Sequence, residues 1–265
     1  LNICFGIWST RGASGLSNAS ILSIKELAYS FNDGKPIFEY MSLNVNKGEF
    51  VSIIGASGSG KSTLFKLVTG LLEPGQGEIL MNGQSQPKRL GTVGYMPQKD
   101  LLLPWRTVID NVLLPVELTK QNKPKKRTEA QEWLTRFGLA EYEQAFPHEL
   151  SGGMRQRVAF LRTLMMGKDL LLLDEPFGAL DSLTKRNMHG WLLGLWGELA
   201  KTVLFITHDL EEAILLSDRI YLLKGKKGIQ EVKINLPRPR NSELIYQPEF
   251  MSMRKELEWL IHHEN

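Results

Sequence analysis

The segment Gly55-Ala56-Ser57-Gly58-Ser59-Gly60-Lys61-Ser62-Thr63 carries the residue types needed to hold a polyphosphate. It fits G-x-x-x-x-G-K-[ST], follows the apolar run Phe50–Ile54 and opens a helix expected over Lys61–Thr69, the context that the motif requires. Gly58 and Gly60 permit backbone angles that a side chain disfavours. The loop N–H groups and the positive end of the helix then face phosphate oxygens. Lys61 is expected to reach the β- and γ-phosphates of a nucleoside triphosphate, and the Ser62 hydroxyl to ligate Mg²⁺.

Leu170-Leu171-Leu172-Leu173-Asp174-Glu175 supplies the complementary chemistry. A continuous apolar run of this length reads as a buried parallel strand. Ligands of parallel sheets gather at the carboxyl ends of the strands. Asp174 is placed to hold Mg²⁺ through water, and Glu175 to take a proton from a water attacking phosphorus. Two acids after a strand, taken alone, read as a helix cap or an ion pair; beside a phosphate loop they read as the hydrolytic half of a site. The run Thr202–Thr207 ends at His208, expected to contact the γ-phosphate. Gln98, which follows the strand candidate Thr92–Met96 and Pro97, is expected to ligate Mg²⁺ or orient water through its amide. A second glycine segment, Leu150-Ser151-Gly152-Gly153-Met154-Arg155-Gln156, offers a serine hydroxyl, glycine amides and a helix N-terminus near Met154, again an anion site.

These residues need strands to carry them to one edge. Ile21–Leu27, Ile37–Val45, Phe50–Ile54, Glu78–Met81, Thr92–Met96, Leu170–Leu173, Thr202–Thr207 and Ile220–Leu223 read as strands, with turns at Asn32-Asp33-Gly34, Asn46-Lys47-Gly48 and Pro74-Gly75-Gln76-Gly77. A helix over Leu183–Ala200 separates two apolar strands, the pattern of an α/β parallel sheet. The middle of the chain, about 99–162, turns helical, with Trp133, Leu134 and Phe137 spaced for one face. After Pro237-Arg238-Pro239-Arg240 an amphipathic helix is expected over Pro248–Ile261. Residues 1–20, rich in small polar types from Ser9 onward, are expected to form a disordered leader.

The composition of this 265-residue chain, 42% hydrophobic and 23% charged, allows a sizeable core. A net charge of +3 gives no case for nucleic acid. The basic run Lys123, Lys125, Lys126 and Arg127, broken by Pro124, reads as a solvated loop or helix start, with contact to anionic lipid as the alternative. With Cys4 as its single cysteine the chain makes no internal disulfide, and no apolar run approaches the roughly 18 residues of a membrane span.

Leu150–Gln156 resembles the signature motif of ABC-type ATPases, and the resemblance extends over about residues 21–224. In that family's terms Gln98 resembles the Q-loop glutamine, Leu170–Glu175 the Walker B strand with its catalytic glutamate, Ala179-Leu180-Asp181 the D-loop and His208 the switch histidine. Phe31 resembles the aromatic that stacks on adenine, with Tyr29 as the second candidate. The resemblance implies an α/β P-loop NTPase core with a parallel sheet, an antiparallel β subdomain and an inserted helical subdomain. The cassette is expected over 21–236 and a tail over 237–265.

It also implies ATP and Mg²⁺ as cofactors and a head-to-tail homodimer. Each ATP would lie between Gly55–Thr63 of one chain and Ser151, Gly152, Gly153 and Gln156 of the other. Leu102–Val112, Glu175–Asp181 and Leu236–Arg240 are similar to segments of importers of nitrate, sulfonate, taurine and pyrimidine precursors of thiamine, whereas Phe160-Leu161-Arg162-Thr163-Leu164 departs from their alanine-rich pattern. The implied partners are two transmembrane permease subunits and an extracytoplasmic solute-binding protein, at the cytoplasmic face of the membrane, with no nucleic acid. Trp105 and Arg106 would grip a permease helix, or Trp105 would pack in the core. A soluble ABC ATPase acting on nucleic acid or ribosomes is the alternative.

Overall fold

The computed structural model describes residues 19–31, 34–178, 180–199, 201–225 and 228–263. The turn residues Asn32 and Asp33, Ala179 and Ala200, Cys4 and all but the last two residues of the expected leader lie outside them.

Two sheets organise the chain. β1 (Ser20–Ser30), β2 (Pro36–Asn46), β4 (Gln76–Met81) and β5 (Gln84–Ser85) form an antiparallel sheet in the order β2-β1-β4-β5. β3 (Phe50–Gly55), β6 (Gly94–Met96), β7 (Leu170–Asp174), β8 (Thr202–Ile206), β9 (Arg219–Leu223) and β10 (Ile229–Lys233) form the second sheet, in the order β10-β9-β3-β8-β7-β6. In this sheet only the edge pair β10–β9 is antiparallel. β7, β8 and β9 are buried at every position, as strands covered on both faces must be. Alternation along β7 divides its side chains. Leu171 and Leu173 join the core under the helices, while Leu170 and Leu172 join the core shared with the antiparallel sheet and helix α1 (Lys61–Thr69).

Between β6 and β7 the described chain is helical. It holds α2 (Val108–Val112), α3 (Leu114–Leu118), α4 (Lys123–Arg136) and α5 (Gly152–Leu164), with two short 3₁₀ turns. Thr107 and Asn122 cap α2 and α4 by accepting the N–H groups of Asp110 and Lys125, three residues on. The basic run is thus the start of α4, with Lys126 paired to Glu129 and Arg127 to Glu143. Leu134 and Phe137 are buried as their spacing predicts. α6 (Ser182–Leu199) joins β7 to β8, and α7 (Leu210–Leu216) joins β8 to β9. The C-terminal α8 (Pro248–His263) buries Phe250 and Leu257 in the core.

Some expectations need correction. Gln76 and Gly77 belong to β4 rather than to the preceding turn. Trp105 is 72% exposed and does not pack in the core. The short elements β5, α7 and β10 went unpredicted. The Pro-Arg-Pro-Arg segment has a structural use as well. Arg238 lies over the Trp196 ring at 4.1 Å, and buried Arg240 donates to the carbonyls of Ile214 and Leu236, pairing the end of α7 with the chain after β10. Burial, assisted by the charge on Arg238, pushes the Arg240 guanidinium down to about 10.

Candidate nucleotide site

The parallel register delivers the predicted side chains to one edge. Gly55 ends β3, Asp174 ends β7 opposite Ile206 of β8, and Met96 of β6 pairs with Leu173. Glu175 donates its N–H to the Ile206 carbonyl at 2.9 Å, so Glu175 and Thr207–His208 leave neighbouring strands side by side. Gln98 follows two residues beyond β6. The rule that placed these residues at carboxyl ends is met because the strands end in register.

The loop Gly55–Gly60 turns from β3 into α1. Gly58 and Gly60 adopt φ of 80° and 98°, in the left-handed region. At Gly60 a side chain is excluded twice, because a Cβ there would lie 2.7 Å from the Phe38 ring. The Lys61 ammonium donates to the carbonyls of Gly55 and Ala56 at 2.8 and 3.0 Å. Burial lowers its pKa, against the pull of Glu175 and Asp174. Ser57, Gly58, Ser62 and Ala56 are exposed, with Ser59 and Thr63 half-buried.

Asp174 is buried, and burial raises its pKa; Glu175 adds to the rise, while a hydrogen bond from Ser62 and the charges of Lys61 and Lys66 oppose it. Hydroxyl, carboxylate and amide oxygens are the ligand set that Mg²⁺ prefers, usually completed by phosphate and water. Ser62, Asp174 and Gln98 provide that set, so the residues fit the ion. No cluster of three or more His, Cys, Asp or Glu able to hold a metal occurs among the described residues, which excludes an all-protein cage of that kind there.

Glu175 is the focus of the edge. Its Oε2 accepts from the Gln98 Nε2 at 3.1 Å and lies 3.4 Å from Nδ1 of His208. Its backbone has φ of 45°, a region uncommon for side-chain-bearing residues and frequent at functional sites. Sequence reasoning missed Tyr95. Its hydroxyl hydrogen-bonds to Asp174, and burial together with that carboxylate pushes its pKa up to about 12. A tyrosine in an otherwise apolar strand next to the acid-bearing one was the available signal.

The second glycine segment stands apart. Ser151 caps α5, accepting from the Met154 N–H at 3.3 Å, and Ser151 and Gly152 are exposed with Gly153 half-buried. No hydrogen bond or ion pair among the described residues joins this segment to Gly55–Thr63. The cleft of about 270 Å³ beside Ala56–Ser59 is walled instead by the end of β9 and by Leu260 and Ile261 of α8. Gln156, expected with the cap, lies a turn further along α5 and is buried within the single chain. The departing segment Phe160–Leu164 lies in α5, where Arg162 donates to the carbonyls of Asp100 and Leu101, tying the helix to the loop after Gln98. Phe31 is 45% exposed at the end of β1 and meets Tyr29 edge-on at 5.2 Å; Tyr29 is half-buried against the core, which leaves Phe31 the freer ring.

Residues 38–178 match the family model described as ABC transporter. The chain is 42% identical to the formylaminopyrimidine import ATP-binding protein ThiZ of Halalkalibacterium halodurans, over 92% of this chain and 98% of that one. It is 39% identical to the aliphatic sulfonates import ATP-binding protein SsuB of Bacillus cereus, over 83% and 86% of the two chains. Among solved structures, a dimeric bacterial ABC transporter cassette superposes with a TM-score of 0.72 at 31% identity, over 82% of this chain and all of that one.

Proposed function

The chain belongs to the ABC transporter family, and from that premise we propose that it is the ATP-hydrolysing subunit that powers a bacterial importer of a small solute. The observation that carries the hydrolytic part is the Glu175 carboxylate, held between Gln98 and His208 at the strand edge that also carries the phosphate loop and Asp174. The importer part rests on relatives named for the import of formylaminopyrimidine, nitrate, aliphatic sulfonates and taurine, and the solute belongs to that group of small anions and pyrimidine precursors.

ATP phosphates settle on the N–H groups of Ala56–Thr63, and Lys61 exchanges its carbonyl contacts for the β- and γ-phosphates. Phe31 stacks on adenine. Ser62, Asp174 and Gln98 would hold Mg²⁺, which would neutralise charge on the phosphates when bound. Glu175 takes a proton from water as the water oxygen bonds to the γ-phosphorus and the bond to the ADP oxygen breaks. His208 donates to the γ-phosphate oxygens.

Among the described residues no hydrogen bond or ion pair joins the cap Ser151–Gly153, with Ser151 and Gly152 exposed, to the phosphate loop of its own chain, which supports a homodimer in which it closes over the ATP of the other copy. ATP then joins two surfaces, and loss of the γ-phosphate releases them. No helix among the described residues is long and apolar enough to cross a membrane, so two permease subunits would supply the channel and a solute-binding protein the selectivity. The dimer would sit on the cytoplasmic face, with exposed Trp105 and the Arg106–Glu117 pair against the permease. Affinity purification from membranes of the native host tests this: permease subunits are expected to co-purify, and salt-sensitive recovery of nucleic acid without them would overturn the importer reading.

A further inference from the structure

A buried charged cluster lies behind His208, on elements that the hydrolytic step does not use. Glu212, on the first turn of α7, is 3% exposed. Its Oε1 lies 2.8 Å from the Lys185 ammonium and 3.1 Å from Nε2 of His189, both on α6. Its Oε2 accepts from the Thr207 hydroxyl, and that hydroxyl in turn accepts the N–H of Asp209 at 3.0 Å. Lys185 also reaches Oδ2 of Asp209 at 3.0 Å, while Oδ1 of Asp209 caps α7. The residues on both sides of His208 are therefore pinned, whereas the His208 ring itself is exposed. The cluster also touches the other wall of the site, because the His189 ring meets Phe177 edge-on at 5.3 Å, two residues beyond Glu175.

Burying charge is costly, and apolar residues of the same volume often stabilise such a place better. A carboxylate satisfied on both oxygens is a reason to look for a geometric role. Burial works against ionisation of Glu212, but the hydrogen bonds from His189, Lys185 and Thr207 outweigh it and hold its pKa below the usual range.

We propose that Glu212 is a positioning residue for hydrolysis: through Thr207 and the Lys185–Asp209 pair it fixes the backbone on either side of His208, so that the imidazole faces Glu175. The inference rests on the role proposed above for His208. It predicts that α6, which starts just after Asp181, reports its position to His208 through Lys185 and His189.

The test is a double-mutant cycle on the full chain, read as kcat and KM for ATP with single-turnover rates for slow variants. Glu212→Gln is expected to lower kcat at least tenfold with KM for ATP within about twofold. Thr207→Val, which replaces only the hydroxyl with a methyl group, is expected to do the same. In a His208→Ala background either substitution is expected to cost less than twofold more. Equal fold losses in both backgrounds would mean that Glu212 acts on the fold and not through His208, overturning the inference. So would wild-type kcat in Glu212→Gln beside a slow His208→Ala. Undiminished turnover of His208→Ala would instead overturn the role given to His208 itself. Should Glu212→Gln fail to fold, Thr207→Val decides by the same criteria.

Discussion

The side-chain amide of Gln98 donates to Oε2 of Glu175 across 3.1 Å, joining residues separated by the whole helical segment between β6 and β7. His208 approaches the same oxygen from the end of β8. One carboxylate is thus addressed from two other strand ends. Movement of the loop after Gln98, which Arg162 ties to α5, will be felt at the proposed base.

Replacing Glu175 by Gln keeps the shape and both neighbours but removes the proton acceptor. Turnover is expected to fall at least 100-fold, about 2.7 kcal/mol of barrier, within the usual range for a general base. ATP affinity should change only a few-fold, and the ATP-bound dimer should accumulate on size-exclusion chromatography. Undiminished turnover would remove Glu175 from its role.

The backbone of Glu175 makes a second, independent prediction. A side-chain-bearing residue at φ of 45° carries strain of about 1 kcal/mol or more. Glu175→Gly should relieve it, raising unfolding stability by about 1 kcal/mol while abolishing hydrolysis. Glu175→Gln keeps the strain and should lack the gain. Equal urea midpoints for the two variants would show that this conformation costs nothing.

Ser151→Arg tests whether the second glycine segment acts on another copy. ATP binding to the monomer should survive, while ATP-dependent dimerisation and turnover are lost. The substitution also removes the cap of α5, which costs about 1 kcal/mol, so Ser151→Ala serves as the control for stability alone. Loss of nucleotide binding in a folded Ser151→Arg monomer would mean that the segment holds nucleotide within its own chain.

The core strands and the phosphate loop were legible because their signals are local: apolar runs bounded by turn residues, and glycines at fixed spacing before a helix. The helix expected at about Lys61–Thr69 is bounded in the structure by Gly60 and Gly70, both in left-handed conformations at its ends. What the sequence hid is long-range. Neither the contact of Tyr95 with Asp174 nor the burial of Glu212 among Lys185, His189 and Thr207 follows from any motif, since each depends on which strands and helices end up adjacent. Arg240 is similar: in sequence it belongs to a charged tail, and only the fold shows it satisfying carbonyls at the end of α7. Gln156 shows the limit of motif reading from the other side: Ser151 and Gly152 are exposed, while helical rotation carries Gln156 to the buried side of α5 within one chain.

The buried carboxylate of Glu212 contributes to stability in a pH-dependent way. The pKa of Glu212 is lowered from an ordinary value of 4.5, so the unfolded chain binds its proton at higher pH than the folded one. The stability it contributes is fully present above about pH 4.5 and is lost as pH falls through the lower folded value. At pH 7, Glu212→Gln should therefore cost about 2 kcal/mol, the worth of hydrogen bonds to a buried charged group. Below pH 4.5 the gap between wild type and variant should close. Asp209, whose pKa is also lowered, titrates in both proteins and largely cancels in the difference. Urea unfolding of the two at pH 7, 5, 4 and 3.5 measures the gap directly. A gap that stays constant or widens toward acid would show that Glu212 is not held as a carboxylate by Lys185, His189 and Thr207.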